Sequence, residues 1–123
     1  MAPVKSALIG FHNEEELSLY LELLDTDGFS VETASDSYEM ARMAAEVRHG
    51  VYLMDVNLGK RMSPDPASSR RVYDAVKDRV EKGEAGFLAL SGSTDAVINA
   101  RKFGVPAELK GYDVFVWLDS LYK

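Results

Sequence analysis

Four residues in the middle of the chain, Val51–Met54, are apolar without interruption, and a second such run spans Phe87–Leu90. Neither run is long enough for a helix, and neither alternates apolar with polar as a strand with one wet face does. A strand that is apolar at every position has both faces covered, which is the mark of a parallel sheet held between two layers of helices. The intervening segments carry the matching helical spacing. Leu17, Tyr20, Leu21 and Leu24 fall on one face of Glu14–Asp27, with Gly28 as a stop. Met40, Met43, Ala44 and Val47 do the same in a segment opened by Asp36 and closed by Gly50, and Asp36 with Glu39 has the pattern of a capping box. Val72, Val76 and Val80 line one face of Ser69–Lys82, and Ser93, Thr94 and Asp95 are N-cap candidates for a helix running to Phe103.

Strands are expected at Val4–Phe11, Ser30–Ala34, Val51–Met54, Phe87–Leu90 and Tyr112–Leu118. Six residues follow Trp117, too few for a full helix, so the final helix is expected to be short or absent. The alternation predicts one three-layer, doubly wound α/β domain over residues 1–123, with a five-stranded parallel sheet of flavodoxin-like type. In such sheets functional groups gather just beyond the carboxyl ends of the strands. That directs attention to Phe11, His12 and Asn13, to Asp55–Gly59, to Ser91, and to the residues after Trp117.

Composition narrows the function. The chain has no cysteine, so disulfides and thiolate metal sites are excluded. Its formal net charge of −6 disfavours contact with a nucleic-acid backbone. The basic stretch Gly59–Arg71 also holds Pro64, Asp65 and Pro66 and reads as a solvated loop. No window approaches the roughly 18 apolar residues of a membrane span, so a cytoplasmic, membrane-free domain is expected. After the first strand, "GFHNEEE" would repel phosphate where a nucleotide binder has a glycine-rich loop. A small flavodoxin-like nucleotide or cofactor binder is therefore the last-ranked alternative.

The order of elements, the chain length and the segment "LMDVNLG" resemble the receiver domain of two-component response regulators. The resemblance covers most of the chain up to about Gly104, and it implies the strand order 2-1-3-4-5. On that resemblance Asp55 matches the phospho-accepting aspartate, Asn57 the loop position whose backbone carbonyl helps hold magnesium, and Ser91, in "FLALSGSTD", the switch hydroxyl after the fourth strand. The family pairs these with two acids after the first strand and a lysine after the fifth. In this sequence Phe11 and His12, or His12 and Asn13, stand where the acids belong, and Leu118 falls at the lysine position. Lys110 precedes the expected fifth strand and is placed at the opposite end of the sheet. The stretches "GKRMSPDPASSRR" and "PAELKGY" read as insertions.

These departures favour an atypical, pseudo-receiver reading: a signalling interaction module, not an enzyme, with a degenerate phosphorylation site. Without a divalent cation and a lysine, an incoming dianion meets roughly three fewer positive charges. Each unit pair near 4 Å is worth about 4 kcal/mol at an effective dielectric near 20. Asp55 then reads as a relic carboxylate hydrogen-bonded to loop amides. His12 is expected either to pair with Asp55 or to bond to backbone, and Ser91 serves equally well as a switch or as a helix cap. No metal or other cofactor is expected. If the site is active, magnesium would be recruited by Glu14 or Glu15, and Asp55 would accept phosphate from a histidine kinase. The expected partner is a protein, either a kinase or an effector module, and homodimerisation is left open.

Overall fold

The computed structural model describes residues 3–59 and 65–122. Five strands and five helices alternate: β1 Ser6–Gly10, α1 Glu14–Thr26, β2 Ser30–Thr33, α2 Ser37–Ala44, β3 Val51–Asp55, α3 Ser68–Glu81, β4 Gly86–Ser91, α4 Thr94–Lys102, β5 Ala107–Leu109 and α5 Val114–Leu121. All strands are parallel and run in the order β2-β1-β3-β4-β5. This is the doubly wound sheet that the uninterrupted apolar runs imply. Lys60–Pro64, the start of the expected loop insertion, lie outside the described residues.

Side chains alternate across each strand, so every strand feeds two cores. Leu8, Tyr52 and Phe87 sit side by side in the register and pack with Met40, Val72 and Val76 beneath α2, α3 and α4. Ile9, Leu53 and Leu88 face the other way and pack with Leu24, Val114 and Leu118 beneath α1 and α5. Val51–Asp55 is buried at every position. Asp36 and Ser93 act as the caps expected from sequence, and Asn13, not expected as one, caps α1. Asn13 accepts from Glu15 N and Glu16 N, Asp36 from Glu39 N, and Ser93 from Ala96 N. Glu39 reaches back one residue past the cap and accepts from Ser35 N at 2.9 Å, a variant of the expected box. Val47 lies beyond the end of α2 and is exposed, outside the inner stripe assigned to it.

The end of the chain departs from expectation. Tyr112–Leu118 is not a strand. Asp113 caps a helix by accepting from Phe115 N and Val116 N at 3.0 and 3.2 Å, and α5 follows as eight residues. Leu118, placed at the lysine position by the sequence reading, is instead a buried core residue of α5, 2% exposed. Trp117 packs on α5 against Gly86, at the start of β4 and away from the strand ends that carry the site. The true β5 is Ala107–Leu109, inside the stretch read as an insertion. Three residues are enough because the rest of the sheet templates them: Ala107 pairs with Ala89, Glu108 with Leu90, and Leu109 with Ser91. The final helix is therefore short but present.

Replacing Asp113 with alanine separates the two arrangements. As an N-cap it should contribute about 1 kcal/mol, so Asp113→Ala should lower the unfolding free energy by that amount, which is a fall of about 0.3–1 M in the urea midpoint. An exposed strand residue would change stability by less than about 0.5 kcal/mol.

Candidate functional site

Asp55 ends β3 with the same parity as Val51 and Leu53, so its side chain faces the layer of α1 and α5. Its partners must therefore come from the start of α1 and from the segment leading into α5, and they do. The backbone N–H of His12 donates to Asp55 Oδ2 at 2.8 Å. The ammonium of Lys110 lies 3.0 Å from Asp55 Oδ1 and 3.0 Å from Glu16 Oε1. Lys110 directly follows β5, and its N–H donates to Ser91 O at 2.9 Å, which extends the β4–β5 ladder by one residue. Correcting the fifth strand thus corrects the site. A lysine does accompany Asp55, at the same end of the sheet, and the charge deficit argued from its absence does not apply.

The acidic partner is also not one of those expected. Glu14 and Glu15 make no contact with Asp55 among the described residues; Glu16, one residue on, reaches Lys110. Asn13 caps α1, which puts Glu16 at the third helical position. A glutamate there commonly turns back to the cap's own N–H, whereas this one turns sideways to the lysine. Its side chain is 21% exposed, so the first turn of α1 is not uniformly solvated. Partial burial works against the Lys110 charge. The hydrogen bonds and negative charges of Glu16 and Asp55 outweigh it and hold the ammonium above the ordinary lysine value. Tyr20, stacked on Phe11 with centroids 4.9 Å apart, has its phenol pushed up by burial and then by the charge of Glu16.

Phe11 belongs to the core beneath α1, and His12 does not pair with Asp55 through its ring. The His12 Nε2 instead contacts the backbone carbonyl of Asn57, and Gly59 N approaches the same nitrogen at 3.4 Å. The loop that presents this carbonyl is anchored from below. Buried Ser68 accepts from Leu58 N at 2.5 Å and donates to Val56 O at 2.9 Å, and Ser37 N donates to Leu58 O at 3.1 Å. Ser91 Oγ accepts from Ser93 N at 3.1 Å, so Ser91 shapes the turn while Ser93 caps α4. An open cleft of about 230 Å³ brings together His12, Asn13, Asp55, Asn57, Ser91 and Lys110.

A hard divalent cation needs several oxygens with free lone pairs. Here Asp55 Oδ2 serves His12 N–H, Asp55 Oδ1 and Glu16 Oε1 face Lys110, and the Asn57 carbonyl meets the His12 ring. Each of these oxygens keeps a further lone pair, so a cation here would compete with the Lys110 ammonium and the His12 ring for them. His49 lies before β3, fully buried at the other end of the sheet, with Nε2 2.8 Å from Glu32. Among the described residues no cluster of three or more His, Asp or Glu side chains could hold a metal ion, and no helix is long and apolar enough to cross a membrane.

No known family model matches the sequence, and no curated protein matches it. Solved structures do. A response regulator protein of Burkholderia pseudomallei, crystallised with a phosphorylated aspartic acid, calcium and citrate, superposes with a TM-score of 0.71 at 22% identity, over 95% of this chain and 66% of that one. This chain therefore spans about two thirds of that protein. The receiver domain of a sensor histidine kinase from Pseudomonas aeruginosa, with magnesium coordinated in its active-site cleft, gives 0.69 at 17% identity over 95% and 96%. The receiver domain of Saccharomyces cerevisiae Ssk1, bound to the histidine phosphotransfer protein Ypd1, gives 0.70 at 15% over 98% and 88%. The chain has the receiver fold.

The lysine contact makes a pH prediction. The folded value of Lys110 lies above its unfolded one, so its stabilising contribution is complete below the ordinary lysine value of 10.5 and is lost as pH rises through the raised value. Lys110→Met should cost about 1 kcal/mol at neutral pH, since a third of the side chain remains in water. It should also flatten the loss of stability above pH 10.5 in urea titrations. Tyr122, pushed up to about 12 by burial and then by Asp27, sheds its contribution over the same range and continues to do so in the variant. An unchanged alkaline slope would contradict the ion-pair assignment.

Proposed function

We propose that this receiver-fold domain is an atypical receiver: a non-catalytic signalling module whose conformation is set without aspartyl phosphorylation and which works by binding a protein partner. The observation that carries the reading is the His12 imidazole resting on the Asn57 carbonyl. A divalent cation would have to bind that oxygen to neutralise a phosphoryl group approaching Asp55. Lys110 supplies one positive charge, but it is shared between Asp55 and Glu16 and is already compensated by them. Compared with a site that holds a divalent cation, the attacking carboxylate has two fewer positive charges to offset the incoming dianion. At about 4 kcal/mol per close charge pair before solvation, that deficit corresponds to several powers of ten in rate.

The partner reading draws on the surface. Leu109, Tyr112 and Val116 are exposed along β5 and α5, and a receiver domain of the same fold binds a histidine phosphotransfer protein. A kinase, a phosphotransfer protein or an effector module is the partner class this supports, with a second copy of the chain as a further candidate.

Lys110 beside Asp55, with Ser91 on the same cleft, favours one second reading: a working receiver phosphorylated on Asp55, in which His12 swings off the Asn57 carbonyl when a cation binds. The two readings separate in an amide NMR titration with magnesium and beryllofluoride. We expect the signals of Asn57, Gly59 and Ser91 to stay in place. A saturable, magnesium-dependent displacement of those signals would favour the working receiver. His12→Asp removes the ring and adds a carboxylate, so it should bind magnesium or manganese at least about tenfold more tightly than the native chain. Equal affinity in the two proteins would show that His12 is not what keeps the cation out.

A further inference from the structure

The helix layer that carries α2, α3 and α4 is not continuous. Between the first turn of α3 and the end of α4 lies an open groove of about 300 Å³, lined among others by Ala67, Arg70, Asn99, Ala100, Phe103 and Val105. Phe103 is the C-cap of α4, and Gly104 (φ 79) turns the chain immediately after it, bringing Val105 into the buried floor. Phe103 itself stays 56% exposed and forms a wall. The guanidinium of Arg70 lies 4.7 Å from the Phe103 ring centroid. The groove therefore presents an apolar floor, an aromatic wall and a cation held at the rim.

The local charge is opposite in sign to that of the whole chain, whose net charge is −6. Arg70 has no ion-pair partner among the described residues, and Asp74, one turn further along α3, does not reach it. The neighbouring charges differ in this respect. Arg71 is paired with Asp65 at 2.6 Å and Arg101 with Glu108 at 2.7 Å. Lys102, next to Phe103 in the last turn of α4, adds a second exposed positive charge. A planar guanidinium binds a carboxylate through two parallel hydrogen bonds, and the groove has room for one large side chain against the Phe103 ring.

We propose that the α3–α4 groove is a docking site for an acidic, amphipathic segment of a partner protein. One bulky apolar side chain of that segment enters over Ala100 and Val105, and an adjacent carboxylate engages Arg70. The site lies on the opposite layer from α1 and α5, away from the Asp55 cleft.

A synthetic peptide of alternating leucine and aspartate, capped at both ends, is the probe. Titrated into the isotope-labelled chain, it should give saturable amide shifts at Arg70, Ala100, Phe103 and Val105. The same peptide with lysine in place of aspartate should give none. Arg70→Glu should weaken binding by about tenfold or more, the loss of one charge-assisted contact. Phe103→Ala should weaken it as well, and thermal melts should confirm that both variants fold, since each replaced side chain is exposed. The proposal is overturned if no residue of the groove responds, if the shifts map to α1 or to the β5–α5 face, or if the lysine peptide binds as well as the aspartate peptide.

Discussion

Two carboxylates converge at the end of a buried strand because one ammonium lies between them. Asp55 is held almost out of water by its position on β3, and Glu16 is turned toward it by the geometry of the first turn of α1. Without Lys110 each would leave an uncompensated oxygen at the sheet end. The lysine in turn can reach them only because β5 ends at Leu109 and Lys110, the next residue, has the parity of Glu108 and points to the α1 and α5 layer. The sheet, its two-fold alternation and the site are therefore one constraint. Shifting β5 by a single residue would point Lys110 to the other layer and leave Asp55 and Glu16 facing each other.

The position of His12 extends the same logic. Its backbone N–H is fixed by Asp55, so its ring is carried over the β3–α3 loop and meets the carbonyl of Asn57. That loop does not simply yield, because buried Ser68 and the backbone N–H of Ser37 tie it to α3 and α2. An imidazole and an ammonium therefore both contact oxygens at this end of the sheet.

Much of this was legible in the chain. The runs Val51–Met54 and Phe87–Leu90 announce a doubly covered sheet, and Asp36 and Ser93 mark helix starts that the structure bears out as caps. The fifth strand was not legible, because the three residues Ala107–Leu109 are too short a run to register and are made a strand by pairing with β4. The apolar richness of Tyr112–Leu118 drew the assignment away from it. A signal was nonetheless present: Val114, Trp117, Leu118 and Leu121 recur at helical spacing behind Asp113, a good N-cap. Reading that pattern would have moved the strand upstream and brought Lys110 to the site. Glu16 was hidden for another reason. Three consecutive glutamates look alike in sequence, and only the cap at Asn13 decides which of them faces inward.

The most direct test is a crystal structure of the chain grown in magnesium-containing solution. The account predicts the His12 ring on the Asn57 carbonyl and the Lys110 ammonium between Asp55 and Glu16, with no ion beside Asp55. An octahedral ion bound to Asp55 and to the Asn57 carbonyl, with the His12 ring turned out into solvent, would contradict it.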